Sequence, residues 1–146
     1  MRQTKIENRT KLHICINLAV MLFIFIQSAM PGEMSGAESN IIAQFIAGLT
    51  GWNEEVLSIL VRKAAHFTEY AVLGICLSIN MRDLQMNLAC AWIIGTAYAA
   101  TDEFHQLFVP DRAGTLTDVL IDSAGVACGI LVYVLFRQVR NKKCNL

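Results

Sequence analysis

The sequence predicts an all-α integral membrane protein, a four-helix bundle with a short interfacial helix or helices between its first and second spans. Three observations carry this prediction. Of 146 residues, 55% are hydrophobic and 16% charged, against about 25% charged in an average soluble domain, and the mean hydropathy is +0.47. Apolar residues gather in separate runs long enough to cross a bilayer. Lys and Arg cluster near both ends of the chain, whereas Pro31 to Leu60 contains four glutamates and no base.

The first span, 12–30, lies in a run without a charged residue from Leu12 through Gly32. The second, 63–81, is apolar only in its later half and carries Arg62, Lys63, His66 and Glu69 around its start. It is the weakest by hydropathy and the richest in chemistry. The third, 85–103, follows a charge-free run from Leu84 through Thr101, and the fourth, 118–136, contains only Asp122 between Val119 and Phe136. Arg2, Lys5, Arg9 and Lys11 precede the first span and Arg137, Arg140, Lys142 and Lys143 follow the last. By the preference of Lys and Arg for the cytoplasmic side, both termini are expected inside and the Glu-bearing segment outside. Asn40 to Leu60 is expected to form the interfacial helix or helices, with Trp52 as an anchor. A cleaved leader ending near Ser28 and Ala29 is the competing reading of the first span; it would put the termini on opposite sides, against the charge distribution. The whole chain, 1–146, reads as one membrane domain. Of the cysteines, Cys15, Cys76, Cys90 and Cys144 fall near the expected inner ends and Cys128 in mid-span, so no structural disulfide is expected. No CxxC points to zinc or redox chemistry.

Equal numbers of acidic and basic residues, 12 of each, remove the overall charge excess that nucleic-acid binding calls for. The charges act locally. In this topology Lys63, His66, Glu69, Asp102, Glu103, Gln106, Asp118 and Asp122 all fall near the outer face. At about 100° per residue, Lys63, His66, Glu69 and Tyr70 occupy a stripe roughly 120° wide, and Asp118 and Asp122 lie about 40° apart. Ionisable groups within spans avoid lipid, so these stripes are expected to face a common interior. Lys63 and Arg112 do not balance Glu69, Asp102, Glu103, Asp118 and Asp122. Surplus carboxylates at a dielectric boundary must share protons, reach water or hold a cation, which points to a functional polar site.

Three motifs in order, K-A-A-H-F-T-E-Y-A-V-L-G (Lys63 to Gly74), T-D-E-F-H-Q-L-F-V-P-D-R (Thr101 to Arg112) and T-D-V-L-I-D-S-A-G-V-A-C-G (Thr117 to Gly129), closely resemble the VanZ-like family. These are small multi-span bacterial membrane proteins named after a teicoplanin-resistance determinant. The resemblance runs from about Ser28 to Gly129 and implies that Lys63, His66, Glu69, Tyr70, Asp102, Glu103, Gln106, Pro110, Arg112 and Asp118 are the family's motif residues here. Asp122 departs from the family's frequent Asn and adds a carboxylate. The family implies an envelope function, with glycopeptide resistance in some members, and no single agreed reaction.

Three function classes stay open. In the first, a membrane enzyme acts at the outer leaflet on an envelope lipid, a lipid-linked precursor or a peptidoglycan terminus: His66 and Glu69 are the acid/base pair, with Glu69 holding the His66 tautomer. Asp102 and Glu103 complete the catalytic set, while Lys63, Tyr70, Gln106, Arg112, Asp118 and Asp122 hold the ligand. A divalent cation could sit among Asp102, Glu103, Asp118 and His66, although no zinc spacing is present. In the second class the same pocket binds a lipid or drug, or assists a partner, without turnover. The third is a proton-coupled transporter, disfavoured because the inner halves of the spans lack matching ionisable residues. The bilayer is the one partner the sequence implies outright; the oligomeric state is open. Gly125 and Gly129 form a G-x-x-x-G that would allow close helix contact.

Overall fold

A computed structural model describes residues 2–144 and contains, among them, five α-helices and no strand: α1 (Arg2–Ser28), α2 (Gly32–Thr50), α3 (Glu54–Asp83), α4 (Leu88–Gln106) and α5 (Leu116–Cys144). Two of them contain segments long and apolar enough to cross a membrane, Glu7–Ser28 of α1 and Leu116–Lys142 of α5. The expected second and third spans form helices α3 and α4 but do not reach that standard. The reason lies in the groups of interest: α3 carries Arg62, Lys63, His66 and Glu69, and the last turns of α4 carry Asp102, Glu103, His105 and Gln106.

The segment between the first two expected spans differs from the sequence reading in its bounds. It begins at Gly32 rather than Asn40, runs as one 19-residue helix to Thr50 and stops where Gly51 takes a left-handed conformation (φ 73°), its N–H donating to the Ala47 carbonyl. Residues 54–60, expected to be interfacial, are instead the first turns of α3. Asn53 starts them by accepting from the Glu55 and Val56 amides at 2.9 and 3.2 Å, with Glu54 and Glu55 favourably placed at the positive end of the helix dipole. No glycine or proline interrupts the chain until Gly74, so α3 reaches 30 residues, about 45 Å. Asn87 caps α4 through the Ala89 amide, and Thr115 opens α5 by accepting from the Asp118 amide at 3.2 Å while donating to the Asp118 carboxylate at 2.9 Å.

Helix α3 is the hub, packing against each of the other four. It runs parallel to α5 and antiparallel to α1, α2 and α4, as the pairing of residues along each contact requires. Glycines set the α3–α5 spacing. A methyl group on Gly125 would meet the Phe67 carbonyl, one on Gly129 the Ala71 carbonyl and one on Gly74 the Val126 backbone, so the two backbones touch on both sides of the seam. On α4, Gly95 makes room for the Val126 side chain. The core beside this seam comprises Ile24, Tyr70, Leu73, Leu77, Met81, Ala91, Ala99 and Val126. Outside it the usual polarity is reversed: Leu22, Phe104, Leu120 and Phe136 are exposed while Asn17, Asn80, Asp102 and Asp122 are buried. An apolar exterior around a polar interior suits lipid rather than water. Cys15, Cys76, Cys90 and Cys128 are free thiols.

The glycine seam gives a direct test. Gly129→Leu is expected to destabilise the protein in detergent by about 1–3 kcal/mol through overpacking, whereas Gly48→Ala, with nothing within 4 Å of the new methyl, is expected to be neutral or slightly stabilising. Thermal unfolding of the two variants checks this; equal midpoints would mean that the seam does not hold α3 to α5.

Candidate functional site

At the end of the bundle where α1 finishes, α3, α4, α5 and the loop before α5 enclose a cavity of about 300 Å³. Its walls are Arg62, Lys63 and His66 of α3, Glu103 and Gln106 of α4, Asp118 and Asp122 of α5, and Asp111, Arg112 and Thr115 of the loop. The loop is fixed by backbone chemistry. Arg112 donates through Nε to the Met30 carbonyl at 3.2 Å and through Nη2 to the Gln27 carbonyl at 3.3 Å, and the Gly32 amide donates to the Pro110 carbonyl at 3.0 Å. Gly32 is required there because a side chain would strike Asp111, itself held at φ 57°. Arg112 is thus tied to main-chain carbonyls at and just past the carboxy-terminal end of α1, which a guanidinium can fork across. Burial, and then the charge of Arg62, push the Arg112 pKa down while Asp102, Glu103 and Glu69 act against them; an arginine remains charged throughout.

The carboxylates are held apart by their partners. Asp118 pairs with Lys63 and accepts from Thr115. Glu103 accepts from the Thr115 amide at 3.0 Å and from Gln106 Nε2 at 3.3 Å. Asp122 is 1% exposed, and one of its oxygens has no hydrogen-bond partner. Asp102 lies beneath the cavity, surrounded by Ser28, Tyr70, Gln106 and His66, yet neither of its oxygens completes a well-aligned hydrogen bond, and the Ser28 and Tyr70 hydroxyls are likewise unmatched. Buried polar groups of this kind ordinarily find partners, and Ser28, Tyr70 and Gln106 are the donors that surround the Asp102 carboxylate.

Of the ten residues singled out in the sequence, seven line the main cavity: Lys63, His66, Glu103, Gln106, Arg112, Asp118 and Asp122. Asp102 and Tyr70 are buried behind it. Glu69 faces elsewhere. Together with His66, Arg62, Gln27 and Ser39 it lines a second cavity of about 140 Å³ beside α1 and α2, and with Ala64, Ala65, Phe23 and Val20 it lines an apolar groove of about 740 Å³ between α1 and α3. No hydrogen bond joins Glu69 to His66, and His66 Nδ1 and Glu69 Oε2 are both without partners. His66 instead feels the charges of Asp102, Arg112, Asp118 and Arg62. Among the described residues no group of three His, Cys, Asp or Glu side chains is placed to hold a metal ion. Sequence reasoning passed over Arg62, Asp111 and Thr115. For Arg62 the signal existed: about 100° per residue puts it inside the stripe bounded by Glu69 and Lys63.

Residues 13–137 match the sequence profile described as VanZ/LLP1. The chain belongs to the VanZ/LLP1 family. All three motifs lie within the matched residues, and family membership together with the apolar α1 and α5 points to a membrane protein. No curated protein and no solved structure matches the chain. For this VanZ/LLP1 protein the Arg112 clasp is testable. Arg112→Lys, which cannot fork onto two carbonyls, is expected to cost about 1–2 kcal/mol and to raise amide exchange across residues 107–115. Unchanged exchange would show that the clasp does not fix the loop.

Proposed function

We propose that this VanZ/LLP1 protein is a four-span membrane protein of the cell envelope, termini cytoplasmic, whose polar cavity at the outer leaflet binds the headgroup of a lipid-linked envelope ligand. One observation carries the reading: polar cavity and apolar groove are joined through shared residues. His66 and Arg62 belong to both the main cavity and the small one, and Glu69 to both the small one and the groove. A charged cavity lying beside an apolar trough, with a small polar cavity between them, matches the two halves of an amphiphile. Arg62, Lys63 and Arg112 supply cationic donors for an anionic headgroup, and Ala64, Val20 and Phe23 provide a wall for its chain. In this topology α3 and α4 are the second and third spans, their polar turns gathered at the cavity, and α2 lies at the outer interface with Ile41, Phe45 and Leu49 exposed along one side.

Binding is the primary act in this proposal. His66, on the wall between the two cavities, is the group placed for proton transfer to a bound headgroup, and Glu69 acts on the ligand from the groove side rather than on the histidine. The tie to glycopeptide resistance comes from the family resemblance. Susceptibility of cells producing the wild type, His66→Asn, Glu69→Gln and Asp102→Asn, with membrane abundance measured alongside, tests it. The wild type is expected to protect, and the variants to be present at equal abundance without protecting. A variant that protects fully removes its residue from the site, and a wild type that does not protect removes the resistance role. Filling the groove with Ala64→Trp is expected to weaken binding of long-chain lipid-linked ligands several-fold while sparing short-chain analogues; equal loss for both would separate groove from headgroup site. For the topology, a cysteine at Gly48 is expected to react with an impermeant maleimide from outside whole cells, and one at Asn141 only after permeabilisation.

A further inference from the structure

At the opposite end of the bundle, α1, α3 and α5 leave another cavity, of about 450 Å³. Four arginines line it: Arg9, Arg82, Arg137 and Arg140. The single carboxylate in its lining, Asp83, is already engaged, accepting from Arg9 at 2.6 Å and lying 2.6 Å from His13 Nδ1, with its side chain 4% exposed. Arg82, Arg137 and Arg140 have no ion pair among the described residues. Tyr133 also lines the cavity; it is 8% exposed, and its hydroxyl, out of contact with water, has no hydrogen-bond partner.

A surplus of Lys and Arg at the cytoplasmic ends of spans is a general bias. That bias explains their number but not their convergence on one cavity. The guanidiniums of Arg82, Arg137 and Arg140 make a set of donors lacking acceptors among the described residues. Their complement is an anion with several oxygens, which arginine recognises as a phosphate or phosphate ester. The rest of the lining decides between a dissolved phosphate and a lipid: Ile79, Val132 and Phe136 are apolar, and Val132 and Phe136 are exposed on the flank of α5. Basic pockets between spans on the cytoplasmic side bind anionic headgroups by this combination.

We infer that this cavity holds the phosphate headgroup of an anionic membrane lipid from the leaflet at the α1 amino-terminal end, with acyl chains along Val132 and Phe136. The site shares no residue with the candidate site. It rests on the reading of the chain as a membrane protein and is independent of what the other cavity binds.

The test is native mass spectrometry of the full chain in detergent, titrated with phosphatidylglycerol and with phosphatidylcholine. Phosphatidylglycerol is expected to be retained about tenfold more tightly, and Arg137→Gln/Arg140→Gln to abolish that preference. The charge-conserving pair Arg137→Lys/Arg140→Lys is expected to keep most of it, which separates lost recognition from lost folding. Equal retention of the two lipids, or a preference surviving the glutamine pair, overturns the assignment. Displacement of the lipid by glycerol phosphate at comparable concentration also overturns it, assigning the cavity to a dissolved phosphate ester.

Discussion

Everything at the candidate site depends on how closely α3 approaches α5. Gly125, Gly129 and Gly74 let the two backbones touch, and this contact sets the rotation of both helices about their axes. With Phe67 against Gly125, the preceding turns of α3 bring Lys63 to Asp118, and the polar side of each helix faces the other. A wider seam would move these charges apart, leaving each to be solvated alone in a setting with little water. In an apolar surrounding, where no hydrophobic drive brings helices together, packing of this kind is the main attraction available.

The second determinant is how the helix ends are tied. Charged groups at this end belong to α3, α4, α5 and a loop, and the loop is held to the α1–α2 corner by Arg112 and by the Gly32 amide. Thr115 links the same loop to Glu103 and starts α5. One short stretch, Pro110 to Thr115, therefore fixes a carboxylate, closes one wall and begins a helix. Helix α2 packs along the long start of α3, joined by the Ser39–Ser58 hydroxyl contact at 3.0 Å, and lines only the smaller cavity. Partners complete some polar groups, whereas Asp102 with the Ser28 and Tyr70 hydroxyls around it, and one oxygen of Asp122, are buried without a well-aligned hydrogen bond.

Much of this was legible in the sequence, because lipid-facing and charge-bearing positions separate cleanly along each helix. The all-helical class, the helices near the expected spans, the convergence of Lys63, His66, Glu103, Asp118 and Asp122, and the small-residue contact at Gly125 and Gly129 follow from hydropathy, the distribution of charge and helical spacing together. Boundaries were less legible. Hydropathy placed the start of α3 at Lys63, whereas the cap at Asn53 and the lack of a breaker carry it back to Glu54; likewise Gln85, at φ 57°, and Asn87 delay α4 to Leu88. The Arg112 acceptors were hidden because main-chain carbonyls leave no mark in a sequence. Glu69 fell on the wheel beside His66, but a position nearly a full turn away along the axis meets a different neighbour, and here that neighbour is α1. The opposite end of the bundle was underestimated too: His13 and Asp83 are ionisable partners there, brought together by antiparallel packing of distant segments.

The groove between α1 and α3 has a kinetic meaning. It is bordered by Phe23, Ala64 and Val72 on the lateral flank of the bundle and reaches Glu69, so under the proposed function a ligand entering along it would travel in the plane of the bilayer rather than through water. Its supply is then counted as a surface density instead of a molar concentration, and encounter is governed by two-dimensional diffusion. Such a site competes for its occupant with the surrounding lipids, not with solvent, and its selectivity is a ratio of mole fractions.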